Sequence, residues 1–131
     1  MELRKKDFTY RGKTVEELKQ LNVREFSKYL CSRERRAVNR QFHKIEEFVE
    51  RAKQKEAKGK KIRTHQRDLI IVPELVGLTI YVYDGQNFAQ IQIKGEMLGH
   101  KFGEYAPTRR KVAHGSAGVG ATKGSKFKSK K

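Results

Sequence analysis

Leu78-Thr79-Ile80-Tyr81-Val82-Tyr83, then Asp84-Gly85-Gln86-Asn87, then Phe88-Ala89-Gln90-Ile91-Gln92-Ile93 is the stretch from which the fold is read. Two β-rich runs with period-two alternation flank a cluster of turn residues, which is the signature of a β-hairpin. In the first run Leu78, Ile80 and Val82 share one face, and Ile91 and Ile93 lie opposite them. Thr79, Tyr81 and Tyr83 take the other face, with Phe88, Gln90 and Gln92. The aromatic side chains of that second face are expected to cover the N-terminal helices as a second small core, because long helices need a surface to pack on. Base stacking on them is the competing reading.

Upstream, Leu69-Ile70-Ile71-Val72 reads as a short buried strand ended by Pro73. It is also the longest apolar run, so no transmembrane helix is expected. Residues 33–58 contain neither Gly nor Pro, and Val38, Phe42, Ile45, Val49 and Ala52 recur at spacings of 4, 3, 4 and 3. That is one apolar seam on one long helix with an otherwise charged surface, with Gly59 as its stop. Thr14-Val15-Glu16-Glu17 and Asn22-Val23-Arg24-Glu25 are N-terminal capping signals. They predict short helices over about residues 14–20 and 22–31, preceded by an irregular basic stretch. Glu96 opens a further short helix held back by Gly95, Gly99 and Gly103. The expected class is α+β: a small antiparallel sheet packed with helices. The expected division is a helical extension over 1–59, a core over 60–113 and a basic, glycine-rich disordered tail over 114–131.

The chain has 131 residues, 36% of them apolar and 35% charged, with a net charge of +16. So small an apolar share argues against a large core around a deep pocket, and so much positive charge calls for a polyanion. A membrane surface is the weaker candidate, since there is no Trp and the basic helix is interrupted by glutamates. The N-terminus leads into no apolar signal segment, and the single Cys31 supplies neither an internal disulfide nor a thiolate-rich zinc site. His43, His65, His100 and His114 are scattered without metal-ligand spacing, so neither metal nor cofactor is expected. Gly12-Lys13-Thr14 lacks the upstream glycine of a phosphate loop, because that position is Asp7. Gly118-Val119-Gly120 with Gly124 has the wrong spacing for a dinucleotide fingerprint. No nucleophile, base and orienter are tied together by spacing, so no enzyme is expected.

Two segments suit phosphate. Arg63-Thr64-His65-Gln66-Arg67 joins cations with hydroxyl and imidazole groups. Gly99-His100-Lys101-Phe102-Gly103-Glu104-Tyr105-Ala106-Pro107-Thr108-Arg109-Arg110 sets glycines beside cations. The second segment, with Asp84-Gly85-Gln86, Ile93 and Leu98 at fixed gaps before it, resembles the family of the universal small-subunit ribosomal protein numbered nineteen in the bacterial scheme. Pro73-Glu74-Leu75-Val76-Gly77-Leu78-Thr79-Ile80 and Arg63-Thr64 resemble it too, so the likeness spans about residues 60–115. The extension before Lys60 and the tail from His114 to Thr122 are similar to the archaeal and eukaryotic members.

The resemblance implies an antiparallel sheet with helices on one side and a place in the small-subunit head. It implies binding to the 3′ domain of small-subunit rRNA, with the head protein numbered thirteen as neighbour. The tail would point toward the decoding region and the A-site or P-site tRNA, on a cytoplasmic ribosome. The residues expected on RNA are Arg63, Thr64, His65, Arg67, Gly99, His100, Lys101, Gly103, Thr108, Arg109, Arg110, Lys111, His114, Lys123, Lys126 and Lys128. Gly99 and Gly103 are expected to let the backbone approach RNA closely. The basic face of the long helix should meet RNA or a neighbour. The rival reading is a free architectural protein that coats nucleic acid by charge alone.

Overall fold

The computed structural model describes residues 8–112 and 118–127. The described residues open with a hairpin of β1 (Thr9–Tyr10) and β2 (Lys13–Thr14), where an irregular stretch was expected. Its two-residue turn, Arg11-Gly12, has φ of 51° and 80°. Positive φ at both central positions is what a tight hairpin matched to strand twist requires. Thr14 then caps α1 (Val15–Lys19): its Oγ1 accepts from the Glu17 N–H at 3.4 Å, and the Glu17 carboxylate accepts from the Thr14 N–H at 3.3 Å.

The second capping signal opens α2 (Val23–Ser27), with the Glu25 carboxylate accepting from the Asn22 N–H at 3.2 Å. This helix ends earlier than expected. The Ser27 hydroxyl donates to the Arg24 carbonyl at 2.6 Å, and the next backbone bonds tighten to i→i+3 as far as Leu30. Ser mid-helix competes with the backbone for its carbonyls, which shortens the element.

The expected long helix is two. α3 (Ser32–Arg40) and α4 (Phe42–Ala57) meet at Gln41, whose φ, ψ of −104°, 16° leave the helical region. No Gly or Pro breaks the chain there. Gln41 Nε2 instead donates to Asp68 Oδ2 at 2.6 Å, tying the bend to the loop before the core. The seam survives the bend, with Val38, Ile45, Val49 and Ala52 buried and Phe42 half-buried.

The main sheet has the order β3 (Ile62–Thr64), β4 (Thr79–Tyr83), β5 (Phe88–Gln92). The hairpin β4–β5 has the expected faces, and its register sets Ile80 opposite Ile91 and Tyr81 opposite Gln90. The sheet is mixed, because β3 runs parallel to β4, pairing Ile62 with Ile80 and Thr64 with Val82. Leu69–Val72, expected as the third strand, is extended and buried but lies outside the sheet. It bonds the loop at residues 99–102, with Ile71 N–H to His100 O at 2.9 Å and Phe102 N–H to Leu69 O at 3.2 Å. The expected helix from Glu96 is two 3₁₀ turns, Gly95–Met97 and Phe102–Tyr105.

A single cluster of buried side chains joins the helices to the sheet, from Leu18 and Phe26 through Ile45 and Val49 to Ile80, Val82 and Phe102. Phe48 of α4 meets Phe102 at 5.4 Å between ring centroids. The α+β class therefore holds, with helical and sheet segments sharing one core. No helix among the described residues is long and apolar enough to cross a membrane. Residues 118–127 carry a 3₁₀ turn at Lys123–Ser125, braced by Gly120 N–H to Ser125 Oγ at 3.0 Å, in a region expected to be disordered.

Candidate nucleic-acid interface

The alternation Lys61-Ile62-Arg63-Thr64-His65 sends Ile62 and Thr64 into the core and leaves Lys61, Arg63 and His65 exposed. These three lie on the same side of the sheet as Tyr81, Tyr83 and Phe88. The Arg63 guanidinium is 5.3 Å from the Phe88 ring centroid and the Lys61 ammonium 5.6 Å from that of Tyr81. His65 lies 4.6 Å from Tyr83 and 5.2 Å from Phe88. Thr79, Gln90 and Gln92 complete the face; none of its strand positions carries a carboxylate, and Glu56 of α4 borders it beside Lys61 and Tyr81. The aromatic residues therefore do not cover the N-terminal helices, which share the core on the opposite side of the sheet. Tyr81, Tyr83 and Phe88 remain half-exposed. An open groove of about 270 Å³ between α4 and β3 adds Arg51 and Lys55 beside Arg63 and His65.

Beyond Ala106 the chain continues as an exposed strap, with Thr108, Arg109, Arg110 and Lys111 all open to solvent. Arg110 Nη2 donates to Asp84 Oδ2 at 2.6 Å, which holds the strap beside the hairpin turn. Asp84 itself closes that turn, its Oδ1 accepting from the N–H groups of Asn87 at 2.7 Å and Gln86 at 2.9 Å. Those two donors, Asn87 foremost, and then the Arg110 guanidinium lower its carboxyl from 3.8 to about 2, against burial, which raises it. A folded-state value below the unfolded one stabilises the fold above about pH 4, and that contribution is lost as pH falls from about 4 toward 2. In Asp84→Asn the urea midpoint should therefore depend less on pH over that window than in the parent. Equal slopes would mean that the turn carboxylate is not coupled to folding.

Several residues expected on RNA are used inside the protein. Thr64 is buried, its Oγ1 accepting from the Gln66 N–H at 3.0 Å. Arg67 spends its guanidinium on three backbone carbonyls: Nη1 to Tyr83 O at 2.5 Å, and Nη2 to Gly103 O at 3.0 Å and Ala106 O at 2.5 Å. Gly103 donates its N–H to Arg67 O, and a Cβ there would lie 3.1 Å from that same oxygen. Gly99 has φ of 81°, and a Cβ would meet Leu30 Cδ2 at 2.9 Å and the Tyr10 hydroxyl at 3.1 Å. At both glycines the space a Cβ would fill is taken by protein atoms, so the fold itself requires glycine there. Gly99→Ala should cost about 1–2 kcal/mol by thermal unfolding while leaving the salt dependence of RNA binding unchanged. A change in that dependence with stability intact would return Gly99 to the interface.

His100 Nδ1 lies 2.7 Å from Glu104 Oε2, both side chains about half exposed, which makes this an exposed pair of small energetic weight. Lys101 is half-buried, and its backbone bridges to Ile70. Lys123 and Lys126 are exposed on their own turn. His114 and Lys128 lie outside the described residues. The candidate interface thus gathers Arg63 and His65 with the strap Thr108, Arg109, Arg110 and Lys111, all exposed, and adds Lys61 and the aromatic face. It also gains a ridge on α3, where Arg33, Arg36 and Arg40 are exposed at helical spacing. The sequence signal for that ridge is four arginines against one glutamate between residues 33 and 40.

Cations on an open sheet face, on a strap and on a helix ridge of a small α+β protein are the surface features expected of polyanion-binding proteins. The family model of ribosomal protein S19 matches residues 32–114. The chain is 47% identical over 125 residues to the small ribosomal subunit protein uS19 of the archaeon Methanococcoides burtonii, covering 95% of this chain and 89% of that relative. The chain belongs to the ribosomal protein S19 family, whose members are structural constituents of the small ribosomal subunit.

Proposed function

We propose that the chain binds small-subunit rRNA in the 3′ domain that forms the head, as a structural part of the subunit with no catalytic step. The observation that carries this reading is the sheet face of Lys61, Arg63 and His65, whose strand positions hold no carboxylate, together with the exposed cationic strap that Arg110 ties to the hairpin turn. Such a surface neutralises phosphates and releases their counterions, and a rigid one fixes register as well. The ridge on α3 lies toward a second RNA segment or toward the neighbouring head protein numbered thirteen. The tail after Ala113 runs toward the decoding region and tRNA, carrying charge with little side-chain bulk.

Co-sedimentation of tagged protein on a gradient, before and after a high-salt wash, tests the structural assignment. Retention on the small subunit supports it, and spreading over all nucleic acid favours coating by charge. The tail has its own prediction. A chain cut after Ala113 should enter subunits at the parental level and slow translation in a reconstituted system. Failure to assemble would move the tail's role from tRNA to subunit construction.

A further inference from the structure

We propose that the open face of the main sheet is a stacking site for an unpaired nucleobase of RNA, with His65, Tyr83 and Phe88 holding the base and Lys61 and Arg63 holding its flanking phosphates. This rests on the RNA-binding reading above and names the kind of RNA element that one part of the surface takes.

The three rings converge on one another: His65–Tyr83 at 4.6 Å, His65–Phe88 at 5.2 Å and Tyr83–Phe88 at 5.2 Å between centroids. Their planes are inclined to one another by 46° to 80°, so they pack as one tilted aromatic cluster on the sheet surface. Aromatic clusters gain most when covered, yet no described element covers this one, and all three rings keep solvent exposure. The occupant must therefore be flat and apolar on its faces. Two cations lie over rings of this face, Arg63 over Phe88 and Lys61 over Tyr81, while the Asp84 carboxylate beside Tyr83 is already engaged by Gln86, Asn87 and Arg110, so an occupant that also carries negative charge within one side chain's reach is favoured. A nucleotide has a flat base and a phosphate at that spacing. A paired base does not fit, because its faces are already stacked in the duplex. Single-stranded RNA recognition combines aromatic platforms with a cationic track in this way.

The chain has no Trp, so a fluorescent base is read against a quiet background. The test uses the full chain, a single-stranded RNA oligonucleotide carrying 2-aminopurine, and the same sequence as a duplex. Tyr83→Leu/Phe88→Leu keeps apolar bulk and removes two flat rings. Phe88→Leu alone guards against misfolding from loss of the Tyr83 hydroxyl bond to Gly85 O, and Phe88→Tyr is the conservative control.

The parent and Phe88→Tyr should quench the probe. Both leucine variants should lose the quench, and the double variant should bind the single strand about tenfold more weakly. Duplex affinity and salt slope should stay within about twofold of the parent, because the cations remain. If the leucine variants bind and quench as the parent does, or the parent does not quench, the face is not a stacking site. Those outcomes leave the rRNA reading standing so long as the parent keeps its preference for 3′-domain RNA. Loss of that preference overturns the broader reading instead.

Discussion

Arg67→Ala is expected to destabilise the isolated chain by about 3 kcal/mol, the largest effect of any single charged residue in the fold. The guanidinium joins three segments distant in sequence: the end of β4 through Tyr83 O, the 3₁₀ turn through Gly103 O, and the start of the strap through Ala106 O. Removing it leaves three carbonyls without their donor, one on buried Ala106 and two on half-buried Tyr83 and Gly103, and unmet buried acceptors cost more than a made bond returns. Arg67→Lys should recover little, because one ammonium cannot reach the positions of a planar fork. Urea denaturation of the full chain checks this. A loss under about 1 kcal/mol would mean that water replaces the guanidinium at no great cost and that Arg67 is free to meet phosphate.

The second large effect is on binding. Changing Lys61, Arg63, Arg109 and Lys111 together to Gln should weaken affinity for 3′-domain rRNA by on the order of a hundredfold near physiological salt. The log–log salt slope should become shallower by roughly three, since each phosphate contact contributes a little under one. All four are exposed and none forms an ion pair with a described residue, so stability should hardly change. Electrophoretic mobility shift over a salt series measures both quantities. A parallel slope with lower affinity would mean that folding had suffered and the phosphates are held elsewhere.

The hairpin and its two faces were legible because alternation over two runs admits a single register. Both helix starts were legible because a capping box is a local arrangement. What stayed hidden depended on contacts between distant segments. β3 has one strong apolar residue, Ile62, and becomes a strand only because β4 offers a parallel edge. Leu69–Val72 has the strand-like composition and is drawn instead into the loop at 99–102. The helix break at Gln41 needs Asp68 in place to be understood.

In the interface, residue type was legible and direction was not. Arg63 and Arg67 look alike in sequence, four residues apart, yet one faces solvent over Phe88 and the other is bonded within the protein. Thr64 pointed inward for the same reason that Lys61 and His65 pointed out, the parity of a strand that composition did not announce. The aromatic face looks like core in the sequence because helices need cover, and the other side of the sheet already supplies it.

Equilibrium binding of the full chain to a 3′-domain rRNA fragment, with duplex DNA in about hundredfold excess at physiological salt, tests the central claim most directly. A rigid surface built for one RNA keeps its complex under that competition. A protein that binds by charge alone gives it up, and complete displacement by the DNA would contradict this account.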